Sequence, residues 1–205
     1  MIPLDSVNLK QEYGNSDFDT RHNFTAYWTY DISGSSHGPK ILTHGWQLSG
    51  SLSFHSGQPF NFPGPGASGS QRPGLNLVSN PFAGVSHNFN PATGEQWVNP
   101  AAFCTPSPSC LPNNPNGTLS RNKFYGPGFA QLDLAVLKNI PIAERFKLQL
   151  RAEMFNVFNR INLATGGGSV GASGFVTDTI GDFFGGPGIG PGEPFNMQLA
   201  AKILF

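Results

Sequence analysis

Five stretches of this chain alternate apolar and polar side chains residue by residue over about eleven positions each, a period that only β-strands satisfy. In RHNFTAYWTYDI, Phe24, Ala26, Trp28 and Tyr30 share one face, and Thr25 and Thr29 lie on the other. Trp46, Leu48, Gly50, Leu52 and Phe54 oppose Gln47, Ser49, Ser51, Ser53 and His55 in the second stretch. In the third, Ala130, Leu132, Leu134 and Val136 oppose Gln131, Asp133 and Asn139, with Leu137 and Lys138 out of pattern near its end. Phe146, Leu148, Leu150, Ala152 and Met154 alternate with Lys147, Gln149, Arg151 and Glu153, and the closing FNMQLAAKILF repeats the scheme. Strands are thus expected near residues 20–31, 44–56, 129–139, 145–158 and 195–205, and the fold class is all-β.

The connections between these strands run short, long, short, long. Residues 32–43 and the hairpin 140–144 (IPIAE) are short, whereas 57–128 and the Gly-rich 159–194 are long. A compact soluble domain rarely holds a loop as long as 57–128 with little strand pattern of its own. Outer-membrane barrels do, because short turns face the periplasm and long loops face outside. With the C-terminus periplasmic, both long loops fall outside and both short ones inside. The strands are also tall enough to cross a bilayer, and Trp28, Tyr30, Trp46, Phe54, Phe146 and Phe205 sit near strand ends, where an aromatic girdle lies. The expectation is an antiparallel transmembrane β-barrel segment of about five strands with long extracellular loops. In a soluble sandwich the polar faces would be solvated instead. A secreted β-sandwich or adhesin-like binding module, with 57–128 as its recognition loop, is therefore the alternative.

Only 12% of residues are charged and the formal net charge is zero, which speaks against nucleic acid as a partner. No run approaches the ~18 apolar residues of a spanning helix. The start, MIPLDSVNLKQEYG, carries Asp5, Lys10 and Glu12 where an export signal needs an apolar stretch, so either the protein is cytosolic or its true N-terminus lies upstream.

The stretches SDFDTRHNF, GWQLSGSLSFHSGQPF, WVNPAAF, RNKFYGPGFAQLDLAVLKN, LRAEMFNVFNRIN and the terminal AAKILF together resemble the C-terminal barrel segment of Oar-like TonB-dependent outer-membrane transporters, which carry a carboxypeptidase-regulatory-like domain. The resemblance spans nearly the whole chain. It implies a location in the outer membrane of a Gram-negative bacterium and a 22-stranded barrel around a plug, energised by the TonB complex through an N-terminal box. Five strands cannot close such a barrel, so the expectation is a C-terminal fragment or a truncated gene product. Its partners would be outer-membrane lipid, the remainder of the barrel with its plug, the TonB complex and the barrel assembly machinery. The terminal strand resembles the signal read by that machinery, with Leu199, Ala201, Ile203 and Phe205 on the read side.

The tract GGGSVG matches a dinucleotide fingerprint literally through Gly166, Gly168 and Gly171, but lacks the preceding strand and following helix, and reads as loop. The five histidines show no metal-ligand spacing, and no nucleophile elbow, phosphate loop or acid–base pair stands out. No enzyme activity and no cofactor is expected. Cys104 and Cys110, in CTPSPSC, fall in the long loop, where an oxidising compartment favours a small disulfide ring, free or metal-binding thiols being the other reading. A hairpin closed by IPIAE places Asp133 opposite Arg151 on the polar face. They are read either as a lumen-side ion pair that sets register or as a water-exposed pair of little energetic weight.

Overall fold

The structure, a computed structural model, describes residues 9–62, 74–105, 107–110, 117–164, 173–176, 179–180 and 192–205. Five long strands form one antiparallel meander: β1 (Asn23–Ile32), β2 (Trp46–His55), β3 (Phe129–Pro141), β4 (Lys147–Phe155) and β5 (Asn196–Leu204). Each pairs with its neighbours in sequence, so the sheet order is the chain order. The fold is all-β. The sheet stays open, and one edge of β1 and one of β5 have no described strand against them.

Strict register keeps two faces unmixed across the whole sheet. One row runs Trp28, Gly50, Leu134, Met154, Met197; the next runs Thr29, Ser49, Ala135, Glu153, Gln198. The ring of Trp28 lies over Gly50, and a Cβ there would overlap it, so this glycine is the recess that lets a large aromatic lie flat against the wall. The ten residues of β1, at ~3.3 Å rise and a barrel tilt of ~40°, cover about 25 Å of the membrane normal, the height of an apolar barrel band.

The β3–β4 hairpin is the place where the structure departs from the expected pairing. Its register runs through Leu134↔Met154, Leu137↔Arg151 and Pro141↔Lys147, so the turn is Ile142–Phe146 and not 140–144. Ile142 N–H donates to the Phe146 carbonyl at 2.9 Å and closes that longer loop. Asp133 is therefore not opposite Arg151. Arg151 instead reaches Glu153, two residues along its own strand, while Asp133 accepts from Gln131 Nε2 and from the backbone N–H of Asn156, both at 2.8 Å. The expected pairing was four residues out of step, and because side chains alternate with period two, an even slip leaves every residue on its face.

The buried core is in the loops, not between the strands. Phe60, Phe62, Leu75, Val98, Ala102, Phe103, Leu119, Phe124, Leu163 and Val176 form one cluster drawn from both long connections. Two-residue ladders stitch it: Pro59–Phe60 with Phe124–Tyr125, Asn76–Leu77 with Phe103–Cys104, and Glu95–Gln96 with Phe175–Val176 from the second loop. Aromatic edges meet within it, Phe103 against Phe124 at 5.7 Å and Phe62 against Phe103 at 4.4 Å between centroids. The wall's apolar face, in contrast, is uncovered, with Leu199 70% and Phe205 96% exposed. A sandwich needs a second sheet over that face, and the described residues place none there.

Candidate functional site: the polar wall and its outer cap

The described parts of three segments at one end of the sheet fold together. They are residues 9–22, which lead into β1, the β2–β3 connection and the β4–β5 connection. Their meeting point joins two of the motifs noted above, NSDFDTR and RNKFY. Asn122 stands at its centre, fully buried, with its backbone in the left-handed region (φ 49°) that asparagine tolerates. Its Nδ2 donates to Asp17 Oδ1 at 2.6 Å and to the Asn15 carbonyl at 2.7 Å, and its N–H donates to Asn61 Oδ1 at 2.7 Å. Arg121 Nη2 lies 3.2 Å from Asp17 Oδ2. The Tyr125 hydroxyl takes a bond from Asn15 and reaches Asp19, while Arg21 stacks over the Tyr125 ring at 4.8 Å.

The hydrogen bond from Asn122 holds the Asp17 carboxyl below its ordinary pKa of 3.8; burial opposes this, and the bond and charge of Arg121 reinforce it. A depressed carboxylate pKa contributes stability that is complete above pH 3.8 and is lost as pH falls through the lower folded value. Protease protection of residues 9–22 should accordingly hold from pH 7 to about 4 and decline below that. Asp17→Asn should give a flatter profile; an equally steep decline in that variant would assign the effect elsewhere.

Beneath the cap, the polar face carries a collar where loops meet wall. His55 and Phe129 stack at 5.0 Å, Gln131 Oε1 accepts from Gly192 N–H at 2.7 Å, and Asp133 holds the end of β4 through Asn156. Below the collar the face is lined by Thr29, Ser49, Gln149, Arg151 and Glu153, with Gln149 Nε2 bonded to Asn139 Oδ1 at 2.9 Å. Such a surface can bind polar solutes by hydrogen bonds and charge.

Three asparagines after β4 carry much of the positioning, and the sequence reading passed over them. β3 outruns β4 by several residues at this end, and NVFNRIN takes over its ladder. Val157 N–H donates to the Leu132 carbonyl at 2.9 Å, and Asn162 Oδ1 accepts from Ala130 N–H at 3.0 Å. Asn159 Oδ1 accepts from Phe195 N–H at 2.9 Å, just ahead of β5. Asn156 and Asn159 both have positive φ, which ends the strand at Phe155 although alternation suggested a strand to residue 158. The readable signal was the recurrence of Asn at every third position.

Cys104 and Cys110 are joined by a disulfide with Cα atoms 6.0 Å apart, next to the buried Asn76, whose Nδ2 donates to the Cys110 sulfur. A ring this small stabilises by about 2–3 kcal/mol in the chain-entropy model. Alkylation of unreduced protein followed by mass spectrometry should leave both cysteines unmodified. Leu199, Ala201 and Ile203 lie on the apolar face of β5, opposite Ala152, Leu150 and Leu148, and Phe205 follows them. The GGGSVG tract falls outside the described residues.

Strands with one apolar and one polar face, long loops gathered at one end and tight links at the other are the marks of a membrane barrel wall. The family model of the outer membrane beta barrel domain matches residues 1–184. The chain belongs to that family. Its place is the outer membrane of a Gram-negative bacterium, with the apolar face toward lipid and the polar face toward the lumen. The cytosolic option left open by the N-terminal sequence is thereby set aside. No curated protein and no solved structure matches the chain.

Proposed function

We propose that this chain is wall and outer cap of a TonB-dependent transporter of the Oar-like kind, taking up a solute without covalent chemistry. The observation that carries the reading is the cap. The described parts of the two long loops and of the segment before β1 pack into one body, carrying a disulfide, at the outer end of the wall, which suits capture of a scarce solute better than an open pore does. The polar face would then meet a plug, with Arg151, whose buried Nε has no partner among the described residues, and Glu153 among its contacts. Energy would come from the TonB complex through parts outside this chain. During biogenesis the barrel assembly machinery would read Leu199, Ala201, Ile203 and Phe205.

The test is uptake by the native host of a labelled panel comprising siderophores, oligosaccharides and short peptides. Deleting the gene should abolish uptake of one class, and a protonophore that collapses the inner-membrane gradient should do the same. Uptake lost on deletion yet indifferent to the protonophore would mean a passive channel and would overturn the proposal.

A further inference from the structure

Lys138 is the one charged residue among the described strand residues of the apolar face, where its cross-strand neighbours are Trp46 and Leu150. It lies three positions before Pro141, where β3 ends at the hairpin, and hence at the periplasmic edge of the lipid-facing wall. The side chain is 6% exposed and makes no ion pair with any described carboxylate. Its Nζ donates to the carbonyls of Leu42 and His44 and sits 4.6 Å from the Trp46 ring centroid; Trp46 Nε1 also donates to the Leu42 carbonyl, at 2.7 Å. An ammonium has three protons to donate, and two carbonyls take two. The indole face lies against the remaining side, so the ammonium, held just beneath the lipid-facing surface, has only neutral partners among the described residues.

Beside it is a groove of about 480 Å³, walled by Trp46, Val136, Leu150 and Leu199 and floored by Ala152 and Ala201. The small floor residues leave a channel that larger ones would fill. We propose that this groove, with Lys138 at its head, is a binding site for an anionic glycerophospholipid of the periplasmic leaflet. The phosphate sits at the Lys138 end of the groove and supplies the missing negative charge, and one acyl chain lies over Ala152 and Ala201. A net-anionic headgroup is preferred over a zwitterionic one, which would bring its own cation to Lys138. The site rests on the outer-membrane location and is independent of what the barrel transports.

The test uses the protein extracted from its own outer membrane, stripped of lipid and offered phosphatidylglycerol in mixed micelles, with retained lipid counted by native mass spectrometry. One phosphatidylglycerol per protein should survive. Lys138→Met should lower retention about tenfold, the scale of one lost charge interaction, Lys138→Arg should keep it, and Ala152→Phe, which fills the groove and leaves the lysine, should lower it as much. Heat-modifiable gel mobility reports folding; if Lys138→Met fails to assemble, Ala152→Phe decides. Equal retention in the unaltered protein and in the deciding variants, or full displacement by inorganic phosphate, would overturn the proposal.

Discussion

Asn156→Ala should be among the most damaging single substitutions in this protein, lowering stability by about 3–5 kcal/mol. The side chain is 1% exposed and makes three bonds: Nδ2 to the carbonyls of Arg160 at 2.8 Å and Glu193 at 2.7 Å, and Oδ1 from Arg160 N–H at 3.0 Å. Truncation removes all three bonds, at ~0.5–1.5 kcal/mol apiece. It also places alanine at φ 48°, which costs roughly 1–2 kcal/mol more. Asn156→Gly loses the same bonds but tolerates the backbone, so it should be the milder of the two. The measurement is the urea midpoint of the folded, heat-modifiable band. An alanine variant with the midpoint of the unaltered protein would show that β3, β4 and β5 are held together at their outer ends by something else.

A second large effect is expected at Gly57, where the two ends of the long loop cross. A Cβ on Gly57 would overlap the Gly126 carbonyl and crowd that of Pro127, and these are backbone atoms that cannot rotate away. Gly126 N–H meanwhile donates to the Gln58 carbonyl at 2.9 Å, so the two ends cannot separate without losing the base of the cap. Gly57→Ala should cost about 1–3 kcal/mol or more by overpacking, expressed in the cap and not the wall. Protease added to intact cells should cut within 57–128 several-fold faster, while total assembled protein falls little. Unchanged protection would mean that the cap core holds without this crossing.

Alternation marked the five strands because membrane and lumen impose opposite solvents on successive residues, and no other short-range rule in this chain is as strong. The same period hid the hairpin register, since pairing Asp133 with Arg151 or Leu137 with Arg151 leaves both faces identical. The cap was not legible for a different reason. Its ladders are two residues long and its core residues, such as Phe62, Val98 and Val176, are widely spaced in sequence without period, so only the folded chain shows them converging. Lys138 read as a flaw in the strand pattern. Its place under Trp46 depends on Leu42 and His44 of the preceding link, and tertiary contacts of that sort leave no trace in a strand's own residues.

With its packed interior above the membrane and its wall against lipid, the molecule should tolerate mutation unevenly. Acyl chains are fluid and refill whatever outline a side chain presents, so Leu148→Val, Leu199→Ile or Met197→Leu should be nearly silent. Inside the cap the neighbours are themselves folded protein at crystal-like density, and a methylene lost from Val98 or Phe62 has nothing to flow into its place. A comprehensive substitution library would then show an inversion of the usual soluble-protein map: the long loops, ordinarily the permissive part of a chain, would be the intolerant part, and the regular strands the forgiving one.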